Sequence, residues 1–232
     1  MESDTILRRY TTLPVLIDML VREQITILGY AHWVDANDRR ALELYQQALH
    51  YGFVGAMCLT MAPETFHHWQ IFAQGESGVC VVFDRERLEA HLACRSHFIP
   101  RKVEYVQLSE IGSVDATDIH RLPFLKRFGF RDEREYRLLG FAPEKRDLMS
   151  IPLTPDLIQR VTFSPATHPN IVASLKVLLR SLPVWRDLRV GRSNLTSNET
   201  WQDALGSVVE RHGCVYGEWM PIDTELILGD DE

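Results

Sequence analysis

Glu133, Glu135 and Arg137 fall at every second position of Phe130-Arg131-Asp132-Glu133-Arg134-Glu135-Tyr136-Arg137-Leu138-Leu139-Gly140-Phe141. The apolar residues predict a strand, in which alternate side chains share a face. The three charges then point one way with Leu139 and Phe141, while Tyr136 and Leu138 point the other. Two carboxylates and a guanidinium so placed either line a solvated edge or form a site, because desolvated charge is costly unless paired. The apolar residues argue for partial burial and therefore for the site. A like charge two positions from Glu135 is expected to raise its pKa once the pair is desolvated.

A second constellation is Pro63-Glu64-Thr65-Phe66-His67-His68-Trp69-Gln70-Ile71-Phe72-Ala73. Helical spacing puts Thr65, Phe66, Trp69, Phe72 and Ala73 on an apolar face, with Glu64 and His68 one turn apart at its border and His67 on the polar side. A carboxylate at that spacing can orient a histidine ring and raise its pKa for general acid or base work; the plainer reading is a half-buried helix with border histidines. Adjacent histidines diverge too far to chelate one metal, and no metal cofactor is expected. Upstream, Asp35, Asn37 and Asp38 crowd a helix start, as caps or as ligand contacts. Arg8-Arg9-Tyr10 and Lys126-Arg127 supply cations of the kind a phosphate-bearing ligand needs, unless they are merely solvated. The chain has no Gly-rich phosphate loop, no Gly-x-Ser-x-Gly elbow and no zincin motif.

These groups need a scaffold. Strands are expected near 6–10, 24–28, 53–60, 102–108, 133–141, 160–164, 188–191 and within 214–229. Residues 78–84, apolar on both faces, suit a central strand. Helices are expected near 14–23, 35–51, 63–73, 85–93, 169–182 and 197–213. Their apolar stripes include Ala41, Leu44, Tyr45 and Ala48 in the second, and Ile171, Leu175, Leu178 and Leu182 in the fifth. No repeat or linker divides the chain, so the expectation is one α+β domain over 1–232, a mixed central sheet flanked by helices. The 232 residues, 45% hydrophobic and 25% charged, suffice for a full core. A net charge of -7 argues against a general nucleic-acid or anionic-membrane surface. No apolar run approaches the ~18 residues of a membrane helix, and the acidic start is unlike a signal peptide, so a cytoplasmic location is expected. Cys58, Cys80, Cys94 and Cys214 lack Cys-x-x-Cys spacing and read as buried thiols.

The ordered set Arg9-Tyr10, Trp33-x-Asp35-x-Asn37-Asp38, Cys58-Leu59-Thr60, Glu64-Thr65-Phe66-His67-His68-Trp69, Gly78-Val79-Cys80, Leu122-Pro123-Phe124-Leu125-Lys126-Arg127 and Asp132-Glu133-x-Glu135-Tyr136-Arg137 resembles domain-of-unknown-function family 2971. The resemblance runs from about Leu7 to Trp201 and leaves 202–232 as an extension. It departs at Arg8, where the family commonly has an aromatic or histidine, and at Val34 and Ala36. The order of a basic residue, Thr60 and a late glutamate is similar to that of ADP-ribosyltransferase-like proteins. That likeness implies NAD as the consumed ligand: Arg9 on its phosphates, Thr60 at the nicotinamide ribose, and Trp69 or Tyr10 stacked on nicotinamide. Glu135 would stabilise an oxocarbenium-like transition state or deprotonate the acceptor, with His68 or Glu133 tuning its charge. A bacterial toxin or anti-phage defence effector is the setting so implied. Two other readings stay open, a non-catalytic module recognising a nucleotide or partner protein and a metal-dependent nuclease using Asp35, Asp38, Glu133 and Glu135.

Overall fold

Ile6-Leu7-Arg8-Arg9-Tyr10-Thr11-Thr12, rich in β-branched and aromatic residues, suits a strand, and Pro14 suits the first turn of a helix. In the computed structural model, which describes residues 5–114 and 117–211 (His32 by its backbone alone), β1 (Ile6–Thr12) passes directly into α1 (Leu13–Arg22). Glu23, in the left-handed region at φ 51, ends that helix and starts β2 (Gln24–Leu28). There follow α2 (Ala36–Ala48), β3 (Phe53–Thr60), α3 (Phe66–Phe72), β4 (Gly78–Asp84), α4 (Arg85–Leu92), β5 (Phe98–Lys102) and β6 (Glu104–Val106). Next come β7 (Leu125–Arg127), β8 (Glu135–Ala142), β9 (Leu148–Pro152), β10 (Ile158–Phe163), α5 (Pro169–Ser181), β11 (Val190–Arg192) and α6 (Glu199–Arg211). The chain divides into two compact units, residues 1–193 and 194–232.

The first unit is an α+β fold around a seven-stranded mixed sheet of order β11-β10-β4-β1-β3-β8-β5, in which β10 and β11 run parallel and the other neighbours antiparallel. Alternation assigns its faces. Leu7, Met57, Leu59, Val79, Val81, Phe83, Tyr136 and Leu138 form one face, buried under α1, α4 and α5 through Leu16, Leu20, Leu88 and Leu179. On the opposite face Leu42 and Tyr45 of α2 cover Val54, Ala56 and Leu139, and Trp69 of α3 covers Tyr10, Cys80 and Val82. Gly78 lets α3 come this close, for a Cβ there would lie 2.0 Å from the Ala73 carbonyl oxygen. No described helix is long and apolar enough to cross a membrane.

One joint of this sheet is weak. β1 pairs with β4 along seven residues and β3 with β8 along eight, but β1 and β3 are in register only at Arg8↔Thr60. Beyond that rung the two strands part.

Several expectations need correction. The charged strand starts at Glu135, because Phe128–Glu133 is a 3-10 turn closed by Arg134 in the left-handed region (φ 42), whose N–H donates to the Arg131 carbonyl. Glu133 therefore enters from a turn and not from the strand. In α3, Phe66 and Phe72 are 50% and 43% exposed, since the cap at Thr65 rotates His68, Trp69 and Ala73 onto the sheet. In α2 Tyr45 is buried as expected, but with Asp38 and Leu42, and Leu44 and Ala48 are exposed; in α5 Leu175 and Leu182 pack against the core as expected, but the buried residues are Val172 and Leu179, and Ile171 and Leu178 are exposed. Residues 102–108 divide between β5 and β6, and β11 is an edge strand. Cys80 is buried, but Cys58 and Cys94 are exposed; Cys58 lies where β1 leaves β3. In the second unit Asn198 caps α6, its Oδ1 accepting the Trp201 N–H at 2.9 Å. The strand expected within 214–229 and Cys214 lie outside the described residues.

Candidate functional site

Where β1 and β3 part, the sheet leaves a cavity of about 140 Å³ on the α2 and α3 face. Arg8 and Tyr10 of β1 and His68 and Phe72 of α3 make one wall. Cys58 and Thr60 of β3 form the floor, and Lys126, Glu133 and Glu135 stand opposite. A cleft of about 400 Å³ shares His68, Phe72 and Glu133 and extends over His67, Ile71 and Phe130.

The acidic wall is a network. The Arg137 guanidinium, 0% exposed, donates from Nε to Glu135 Oε1 at 2.6 Å and from Nη2 to Glu135 Oε2 at 3.0 Å. It also donates to Asp38 Oδ2 at 2.7 Å and the Pro123 carbonyl at 2.6 Å, and it lies over the Trp33 ring. Lys126 Nζ reaches Glu133 Oε2 at 2.5 Å, Glu135 Oε2 at 3.0 Å and Asp38 Oδ2 at 3.6 Å. The turn that delivers Glu133 is anchored by Thr60, whose hydroxyl donates to the Glu133 carbonyl at 2.5 Å, and the Glu135 N–H donates to the Tyr105 hydroxyl at 2.8 Å.

Burial opposes ionisation of both glutamates, but the outcomes differ. At Glu135 the charge and hydrogen bonds of Arg137, with Lys126 behind them, outweigh burial and hold the carboxyl at about 2. At Glu133 burial prevails over Lys126, and Glu135 and Asp38 push the same way, so its pKa is raised. The expected rise at Glu135 is thus overturned, since the neighbouring cations count for more than the like charge. Desolvation raises Asp38 as well.

The facing wall carries unmet polar atoms. Arg8 Nη1 donates to the Ala62 carbonyl at 2.8 Å, while its Nε, the Tyr10 hydroxyl and His68 Nε2 are buried without a hydrogen-bond partner among the described residues. The His68 ring stacks on Tyr10 with centroids 5.4 Å apart. Thr65 Oγ1 accepts the His68 backbone N–H and lies within hydrogen-bond distance of Nδ1, 2.6 Å away, which fixes the ring with Nε2 towards the cavity. Burial lowers the His68 pKa, against the expected rise. Glu64 does not orient His68: its Oε1 accepts from the Trp69 indole N–H at 2.8 Å and from the Ser193 hydroxyl at 2.5 Å.

The expected site residues are therefore divided. Tyr10, Thr60, His68, Lys126, Glu133 and Glu135 meet in the cavity, and His67 lines the adjoining cleft. Asp35, Asn37, Asp38 and Arg127 line a separate cleft of about 230 Å³ beyond Lys126, where Asp35 Oδ1 caps α2 by accepting the Asn37 and Asp38 N–H groups. Trp69 is 1% exposed against Tyr10 and offers no free face for stacking. Arg137 is sealed beneath the carboxylates. Arg9 points to the opposite face, its Nη1 on Met57 Sδ, and burial lowers its pKa to about 10. The cavity's arginine is Arg8, a role that period-two alternation with Tyr10 could have assigned. Tyr105 and Cys58 were also missed; Cys58 shares a strand face with Thr60 by the same alternation, whereas no sequence pattern marks Tyr105. Among the described residues no group of three or more His, Cys, Asp or Glu stands ready to hold a metal; Asp38, Glu133 and Glu135 converge on Lys126 instead.

No protein-family model and no curated protein matches the chain, so the family resemblance rests on the motifs quoted above. Among solved structures the chain is similar to Thermus sp. 2.9 DarT in complex with NAD+, at a TM-score of 0.44 and 14% identity over 82% of this chain and 95% of that one. It is similar also to Thermus sp. 2.9 DarT in complex with ADP-ribosylated ssDNA, at a TM-score of 0.43 and 13% identity over 82% of this chain and 94% of that one.

Proposed function

We propose that the parted sheet binds a nucleotide of the NAD type and that the protein consumes it, as an ADP-ribosyltransferase or NAD glycohydrolase. One observation carries the reading: a half-buried and a buried carboxylate with divergent ionisation face, across a single cavity, three buried polar atoms that have no hydrogen-bond partner among the described residues. Pairs of titratable groups pushed apart in this way mark acid and base roles.

Cleavage breaks the bond between the ribose C1′ and the nicotinamide nitrogen. The bonding pair leaves with nicotinamide, and positive charge develops on the ribose. Glu135, ionised down to a pH of about 2, faces that charge in a dry setting. Its two oxygens are already held by Arg137 and Lys126, so its role is electrostatic and not nucleophilic. Glu133 is the group suited to take the proton of the attacking water or acceptor hydroxyl. Arg8 and Tyr10 can donate to phosphate and ribose oxygens, with His68 Nε2 beside them, and the adjoining cleft of about 400 Å³ falls within the roughly 300–1,000 Å³ of ordinary ligand sites. Consumption of NAD also fits the toxin or anti-phage setting that the resemblance implies.

The saturation of Glu135 favours one competitor, a module that binds a nucleotide or partner without chemistry. Nicotinamide release from NAD, measured by chromatography with and without protein and nucleic-acid acceptors, separates the two. Glu135→Gln should lose at least ~30-fold in rate, about 2 kcal/mol, with its melting temperature checked alongside. Tight NAD binding by the wild type with no release under any condition would establish the module instead.

A further inference from the structure

Lys126 is shared unequally among the acids it touches. Glu135 and Asp38 also hold Arg137, at 2.6 Å and 2.7 Å, whereas among the described residues Lys126 is the side-chain cation on Glu133. Its place is fixed by the pairing of β7 with β6, where Tyr105 lies opposite Lys126, and by the Phe130 ring 4.9 Å from the ammonium. The lysine is 10% exposed and its Nζ stands between the two glutamates. We propose that Lys126 is a positioning residue that keeps Glu133 ionised and turned into the cavity, and so sets the pH above which the site can take a proton. The part concerning proton transfer rests on the function proposed above; the part concerning Glu133 does not.

Glu133 is faced by Glu135 of β8, Asp38 of α2, Tyr105 of β6, His68 of α3, Arg8 of β1 and Cys58 of β3. Burial and the two acids favour the protonated form, and Lys126 opposes them through its charge and hydrogen bond. Removing the ammonium should therefore raise the Glu133 midpoint, while Glu135, still held by Arg137, moves less.

The test is a carboxyl carbon NMR titration of the full chain, with Glu133→Gln assigning the Glu133 signal. Lys126→Met should raise the Glu133 midpoint by about one pH unit or more, and Lys126→Arg should leave it near the wild-type value. Lys126→Gln gives the same readout should the methionine variant fail to fold. An unmoved Glu133 midpoint, or an equal rise at both glutamates, overturns the proposal. Where nicotinamide release is measurable, the acid limb of its pH profile should move upward with the midpoint, and a fixed limb overturns the catalytic part. A raised midpoint in a protein that releases no nicotinamide upholds the role of Lys126 and counts against the proposed reaction alone.

Discussion

Arg137→Met removes the cation at the centre of the acid network while keeping a long side chain in a site with 0% exposure. The wild-type guanidinium meets Glu135 at 2.6 and 3.0 Å, Asp38 at 2.7 Å and the Pro123 carbonyl at 2.6 Å. Stripping one partner from a buried pair costs about 3–5 kcal/mol, because the other charge is left without compensation. Titration leads to a similar figure. The Glu135 pKa falls from 4.5 to about 2, which at ~1.4 kcal/mol per pH unit is worth about 3 kcal/mol, most of it owed to Arg137. Since the folded pKa lies below the unfolded one, this stabilisation is complete above about 4.5 and is lost as the pH falls through about 2. In the variant burial acts on Glu135 with Lys126 and the Cys58 hydrogen bond left to oppose it, so the carboxyl protonates at higher pH. Urea unfolding should therefore show a deficit of about 3 kcal/mol at pH 7 that narrows as the pH falls below about 4.5. A deficit under about 1 kcal/mol at pH 7, or one that stays constant from pH 7 to pH 3, would refute the argument.

Gly78→Ala should cost about 1–3 kcal/mol in thermal unfolding, because its Cβ would meet the Ala73 carbonyl oxygen at 2.0 Å and lift the end of α3 from β4; an unchanged melting temperature counts against this close approach. Arg8→Ala should weaken NAD binding by calorimetry about tenfold or more, while Arg9→Ala, on the far face of the sheet, should leave affinity unchanged; the opposite order would place the ligand elsewhere.

The elements most open to reading were those with regular alternation. Gly78–Asp84 is apolar on both faces and does lie inside the sheet, and Glu135 and Arg137 do share a strand face. Glu133 was misplaced because a single left-handed residue, Arg134, breaks the period at a position where an arginine gives no sign of it, five residues beyond Gly129. Asp35 and Asp38 both resemble first-turn caps; only the folded chain shows that Asp35 caps while Asp38 reaches Arg137, 99 residues away in sequence. The histidine failed for a related reason. Thr65, three residues from His68, offered its hydroxyl as cap and ring partner together, while Glu64 was drawn off by Trp69 and by Ser193. Short-range patterns name the groups, and contacts distant in sequence choose among them.

The single rung between β1 and β3 has a mechanical consequence. The seven strands are two narrower sheets, β11-β10-β4-β1 and β3-β8-β5, latched at Arg8 and Thr60. The polar groups of Arg8, Tyr10 and His68 stand on the first half or on the helix above it, and Glu135 belongs to the second. A molecule seated across the seam would splint the two halves, supplying a bridge that the backbone withholds. Occupancy and native stability would then rise together, and the empty protein would be held in reserve as its own softer form.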